Sequence, residues 1–559
     1  MASREAIGIS FVSENRNFSP GRRRFLCGGA AAAAAVVLPR PARAADGPAA
    51  GKNQVVIGIS QEPTVFNPLL PHIEVDEGIY LNLFSPLWSI DDKARLCPEL
   101  ARVVPTQENG LVSEDGLVWT IPLRENVRWH DGRPFSANDV MFTLALLKYT
   151  EFPAFSRQGY EYMERVEQTG PFEIRWHMNK PFAPLHSIVA NTFIVPRHKF
   201  ESVEKWSESH FAEHPVGTGP FQWEQRLSGE KIVMKANPLF YGVRPALDYV
   251  TFSYIPDLTV MFTQFQVGAI DYIGMQGIPP NRYHEALQIP GRQIIAIPQA
   301  FLEGFIFNTG RPQFQEQAVR NAIYMALDKE SVRKYLYQDI LESTESYLPR
   351  QSPYFNPDLP PHVFDPAQAR HILADAGWKK GRDGILQKEG VRLEFTNSTT
   401  SGNQLREQTQ EVFQENLADI GMRMHIRNMP PAVMWGEYWI MSEFDTALSS
   451  VDYMLGADPA CGSYFDSRNI PAHHGAGQNI FEYENREVDH LLHMGNMTLD
   501  TTKRKEIYDQ VQEALRRELP VAPLFQVVSI EGKKTSLSGC RPNINVRSTC
   551  WNVHEWQWM

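Results

Sequence analysis

The chain is 559 residues long, more than one hydrophobic core supports, so two or three domains are expected. Its 43% hydrophobic content is that of a soluble globular protein, and after the N-terminus no run of about twenty apolar residues exists to cross a membrane. The formal charge of −11 argues against nucleic acid as a partner, and the lack of any Cys-x-x-Cys spacing leaves zinc and redox motifs without support.

The first element is a targeting segment. Arg22-Arg23-Arg24-Phe25-Leu26 precedes a short apolar run, Ala30–Leu38, and the small-x-small site Ala42-Arg43-Ala44. The wording resembles a twin-arginine export signal, cleaved near Ala44, which carries proteins across already folded. Cys27 precedes the apolar run instead of ending it, so a soluble periplasmic protein is expected and a lipid anchor is not. Cleavage removes seven basic and two acidic residues and takes the formal charge to −16. Cys97, Cys461, Cys540 and Cys550 remain. In an oxidising compartment Cys540 and Cys550 can close a short loop, and the residues alone leave paired and unpaired states open.

Asn53–Ser60 reads as the first strand, broken by Glu62-Pro63 and Asn67-Pro68. Further on, Trp119–Leu123 alternates as a strand and Arg124–Trp129 as a second short extended run. His130-Asp131-Gly132 is a turn, Pro134 blocks further pairing, and Ser136 caps a helix bearing Val140, Phe142, Leu144 and Leu147. Pro215-Val216-Gly217-Thr218-Gly219-Pro220-Phe221 is a hinge-like run; with no lysine after its glycines it is not a phosphate loop. A strand is expected at Val250–Tyr254.

In the C-terminal half, Asp365 is an N-cap with Pro366 at the first helical position, and Gly377 terminates that helix. A second helix is expected over about 404–419, a strand over 422–426, a third helix over about 503–519 and a strand over 521–528. Helix followed by short hydrophobic strand, repeated, predicts α/β layers with substantial parallel sheet.

The sequence has no G-x-S-x-G elbow and no H-E-x-x-H pair. His473-His474, the one adjacent histidine pair, sits in a Pro/Gly-rich stretch that reads as a solvated loop. No enzyme activity, cofactor or metal is therefore expected; a secreted hydrolase would need a site assembled from distant residues.

The stretch from Ser113 to Val140 carries a long match to a known signature, departing from it mildly at Trp119, Ile121 and Ser136. It resembles the family 5 extracellular solute-binding proteins, the receptors of ABC importers typified by dipeptide- and oligopeptide-binding proteins. Landmarks in the same order extend the resemblance over nearly the whole mature chain: the Pro215–Phe221 run, Asn237-Pro238 with Tyr241, Gly268–Asp271, Phe307-Asn308-Thr309, Ala318–Ile323, Asp328, and Tyr483 to Asp489.

The resemblance implies an α/β fold of the cluster C periplasmic binding proteins, two lobes around a cleft with an extra inserted domain. The expected division is 1–44 signal peptide, 45–91 domain I, 92–214 inserted domain II with the signature, 215–305 domain I, 306–518 domain III, and 519–559 domain I again. It implies a periplasmic receptor, monomeric, that closes over a di- or oligopeptide and delivers it to an inner-membrane permease and its ATPase. An opine, oligosaccharide or nickel complex is the alternative ligand.

Phe444–Tyr453 reads as a strand entering a polar loop, and Asp452-Tyr453 matches the place where peptide-binding relatives hold the ligand's α-ammonium group. Ser449 stands where a tryptophan is common. The candidate ligand residues are Asp452, Tyr453, Ser450, Glu62, Asn67 and Trp435. Trp435 and Trp439 are spaced for one helix, with core packing as the competing role. Phe305 and Asn308 are expected to be structural, and the signature's turn and helix to lie away from ligand capture.

Overall fold

The computed structural model describes residues 53–274, 277–475, 477–546 and 548–559, which belong to one compact unit. The export signal, with its expected cleavage near Ala44, lies outside the described residues.

An 11-stranded mixed sheet organises the molecule. The strand Gln54–Ile59 pairs in parallel with Tyr249–Tyr254 on one side and with Tyr272–Ile273 on the other. At the far end of the sheet Glu394–Ser398 lies parallel to both Arg423–Ile426 and Thr446–Val451. Two long antiparallel strands, Arg292–Phe307 and Val521–Lys534, join these two parallel groups. The helix–strand alternation thus produces parallel pairing within each lobe, while an antiparallel pair longer than the sequence pattern indicated bridges them.

That bridge is irregular. Pro298 pairs with Val528 but Leu302 pairs with Gln526, and a second register shift falls between Glu303 and Gly304. Such irregularities bend a strand and interrupt its ladder. Separate apolar cores flank the bend: Ile57, Trp88, Trp119, Phe252 and Trp556 on one side, Phe305, Phe395, Phe413 and Phe525 on the other.

The signature segment forms the strand Val118–Pro122, in a three-stranded antiparallel sheet with Glu173–Met178 and Met163–Gly170. Its helix is Ala137–Lys148, N-capped by Ser136 in a reciprocal arrangement with Asp139. Arg124–Trp129 does not form the second strand that its residues suggest. It contributes one isolated bridge, Arg128 to Pro134, because the chain turns back at Gly132, whose φ is +86°.

His130 explains why the turn matters to the fold. Its backbone N–H donates to the Gly217 carbonyl at 2.9 Å, and Gly217 N–H donates to His130 Nδ1 at 3.0 Å. The ring proton therefore sits on Nε2, which donates to the Gly219 carbonyl at 3.1 Å. The signature turn is thereby fastened to the glycine run, where a Cβ on Gly217 would fall 1.8 Å from the Leu83 carbonyl oxygen.

Burial lowers the His130 imidazole from 6.5 to about 4. Between those values the unfolded ring binds a proton that the folded ring refuses, so its contribution is present above the unfolded value and lost as pH falls. The effect is at most about 3 kcal/mol. The melting-temperature gap between the native protein and His130→Ala is expected to widen as pH rises through this window; a gap independent of pH would contradict a neutral, fastened ring.

The possible Cys540–Cys550 loop is not closed by a disulfide: both are thiols, as are Cys97 and Cys461. Hydrogen bonds hold that segment instead, from Asn543 Nδ2 to the Ile90 carbonyl (3.0 Å), from Asn545 Nδ2 to the Asp91 carbonyl (3.1 Å) and from Trp551 Nε1 to the Arg541 carbonyl (2.8 Å). Burial pushes the Cys540 thiol up to about 12, which keeps it unreactive.

Candidate ligand-binding cleft

The strand Thr446–Val451 lies antiparallel to the far half of Arg292–Phe307, with Leu302 opposite Val451 and Glu303 opposite Ser450. It ends where Asp452 Oδ1 accepts the Met454 N–H at 3.0 Å, a side-chain-closed turn that stops the ladder. The loop beyond is closed by reciprocal backbone bonds between Leu455 and Asp458, each 3.1 Å.

Asp458 then anchors the loop from beneath. Its two oxygens accept from Arg504 Nη1 and Nη2 at 2.6 and 2.7 Å, with both side chains buried. The Arg504 guanidinium also donates to the Gly495 carbonyl at 2.7 Å and lies over the rings of Tyr354 and Tyr508. Such a bidentate, fully hydrogen-bonded pair holds geometry tightly.

A cavity of about 650 Å³ opens above this loop. Ser450, Asp452, Tyr453, Trp435 and Trp439 line it from one lobe. Opposite them are His72 and Glu77, just before and within the first turn of the helix Glu74–Leu83, and Phe155, Tyr160 and Asn191 from the chain that follows the signature helix. Phe301, inside the irregularity of the bridging strand, also faces the cavity.

Four of the six candidate residues are therefore brought together. Tyr453 is buried and stacks on Phe465 at 5.3 Å, so it offers an edge and not a free ring. Ser450 Oγ accepts from Arg406, whose guanidinium is gripped by Glu303 through bonds of 2.7 and 2.8 Å. Trp435 is half-exposed and Asp452 half-buried.

Glu62 and Asn67 are placed elsewhere. Glu62 accepts from Arg226 at 2.8 Å and from Gly229 N–H at 3.0 Å, which fastens the loop between Phe221–Leu227 and Lys231–Ala236. The Gly229 N–H, followed by Arg226, holds its carboxyl below the usual range. Asn67 is buried and accepts Leu69 N–H at 3.1 Å; it shapes the turn that presents Pro68 and Leu69 to the cavity.

Trp435 and Trp439 do not share a continuous helix. Two single turns, Pro431–Met434 and Glu437–Ile440, are separated at Gly436. The signature's turn and helix were expected to lie away from ligand capture, yet Leu147 of that helix lines the cavity, as do Phe155, Tyr160, Asn191 and Phe193 further along the chain. His72, Glu77, Phe155 and Phe301 carried no local pattern that marks a cleft residue. Among the described residues no group of three or more His, Cys, Asp or Glu side chains is arranged to hold a metal ion.

Residues 98–470 match the family model described as "Bacterial extracellular solute-binding proteins, family 5 Middle". The chain belongs to this family. It is 26% identical over 523 residues to the oligopeptide-binding protein AppA of Bacillus subtilis, covering 91% of this chain and 92% of that protein. The solved structure of AppA, in complex with a nonapeptide, superposes with a TM-score of 0.75 at 25% identity, over 90% of this chain and 99% of that one. NikZ from Campylobacter jejuni, in complex with Ni(L-His), superposes with a TM-score of 0.77 at 26% identity, with coverage of 90% and 99%. The two-lobed α/β architecture with an extra domain is that of the family.

Proposed function

We propose that this protein is the substrate-binding receptor of an ABC importer and that it captures a di- or oligopeptide by closing its lobes over the cleft. The observation that carries the peptide reading is the position of Asp452. It ends a buried strand, is fixed by its own turn, and presents a carboxylate to a largely apolar cavity where a charge-assisted bond to an α-ammonium group is strong. The names of the relatives support the same ligand class, since AppA is an oligopeptide-binding protein.

The bend in the two bridging strands supports their role as the hinge, because few ladder bonds oppose rotation where the register shifts. In this reading the receptor works in the periplasm after export and signal cleavage near Ala44, and acts as a monomer. It hands its ligand to a permease with its ATPase and performs no chemistry on it. Calorimetric titration with trialanine tests the function: saturable binding is expected, and failure of every short peptide to bind would overturn it.

A further inference from the structure

Two large aromatic side chains at the cleft stand in solvent although both are held firmly. Phe155 is 50% exposed and Trp435 is 40% exposed. They come from the two different lobes and line the same cavity.

Phe155 lies flat on the His72 ring, with centroids 4.3 Å apart and planes at 26°. Its backbone N–H donates to the Leu69 carbonyl at 2.8 Å. His72 is itself fixed, with Nδ1 2.7 Å from the Leu70 carbonyl and Nε2 3.2 Å from the Glu77 carboxylate. On the other wall Trp435 meets Trp439 edge-on at 5.0 Å and 81°, and Trp439 stacks on buried Phe444 at 5.4 Å and 29°.

Apolar surface of this kind is unfavourable in water until something covers it, and its concentration at a cleft marks a binding surface. Rings already locked by their neighbours lose little freedom when a ligand arrives, so the gain in contact is not offset by ordering. The cavity, at about 650 Å³, falls in the range of roughly 300–1,000 Å³ that encloses compact ligands. That size suits a peptide of a few residues.

We propose that Phe155 and Trp435 form an aromatic clamp for one aromatic or large apolar side chain of a short peptide, which makes them specificity-determining residues. The proposal rests on the peptide reading of the cleft. Face and edge contacts to a phenyl ring favour it over a methyl group beyond the area covered.

The test is calorimetric titration of the mature protein with trialanine and with the three tripeptides that carry one phenylalanine and two alanines. The best phenylalanine peptide is expected to bind more tightly than trialanine by on the order of tenfold. Phe155→Ala and Trp435→Ala are each expected to weaken the best phenylalanine peptide several-fold more than trialanine, and so to remove most of that preference, while Trp435→Phe retains part of it. Both positions are partly exposed, and a melting curve for each variant verifies folding. A wild type that binds trialanine without a phenyl preference, or a preference that survives the double alanine variant, would overturn the clamp and leave the peptide reading standing. Binding of no tripeptide at all would overturn both.

Discussion

Asp452→Ala is expected to cost a peptide ligand about 2–4 kcal/mol of affinity, a loss on the order of 30- to 1,000-fold, because truncation leaves a ligand ammonium unpaired in a closed site. Asp452→Asn keeps the shape and the acceptor oxygen while removing the charge, so an intermediate loss is expected. N-acetylation of the ligand removes the same interaction from the other side. The native protein should therefore discriminate against acetylated peptide, and Asp452→Ala should treat free and acetylated peptides alike. Calorimetry on this two-by-two set isolates the coupling between carboxylate and amine. Unchanged affinity of Asp452→Ala for the free peptide would remove Asp452 from the site.

Arg504→Met is the substitution with the largest expected effect on stability. It leaves the Asp458 carboxylate buried and uncompensated, a change that costs about 3–5 kcal/mol. The double variant Arg504→Met with Asp458→Asn should recover part of this, since no charge then remains in the core. The pair also underlies the loop from Asp452 to Cys461, so the single variant is expected to bind ligand less tightly at temperatures where it remains folded. Thermal unfolding of the single and double variants separates these contributions. Equal destabilisation by both would show that the packing of Arg504 over Tyr354 and Tyr508 matters more than its charge.

The elements that could be read in the sequence were those whose causes are local. The helix Ala137–Lys148 follows from the Ser136 cap, and Gln404–Asp419 from its apolar spacing. The strand Thr446–Val451 and its exit into a polar loop at Asp452 follow from one run of residues. The long signature was legible as a family mark, and its physical basis is visible in His130, which fastens the signature turn to the Gly217–Gly219 backbone.

What was not legible depends on contacts distant in sequence. Glu62 follows the first strand much as a ligand residue would, but Arg226, 164 positions away, engages it. The spacing of Trp435 and Trp439 suggests one helix, yet the chain breaks it at Gly436 so that the two rings meet edge-on. Phe155 becomes a cleft residue only because its backbone is tied to Leu69 across the lobe. Arg124–Trp129 has the composition of a strand, but the turn at Gly132 directs it back on itself before a ladder can form.

The most direct measurement is native mass spectrometry of the protein exported in its own cell type and purified without denaturing steps. A bound species with the mass and fragmentation of a short peptide, displaced by added free tripeptide and retained against N-acetylated tripeptide, is the expected result. A bound sugar, opine or metal complex that no peptide displaces would contradict the assignment of this cleft to peptides.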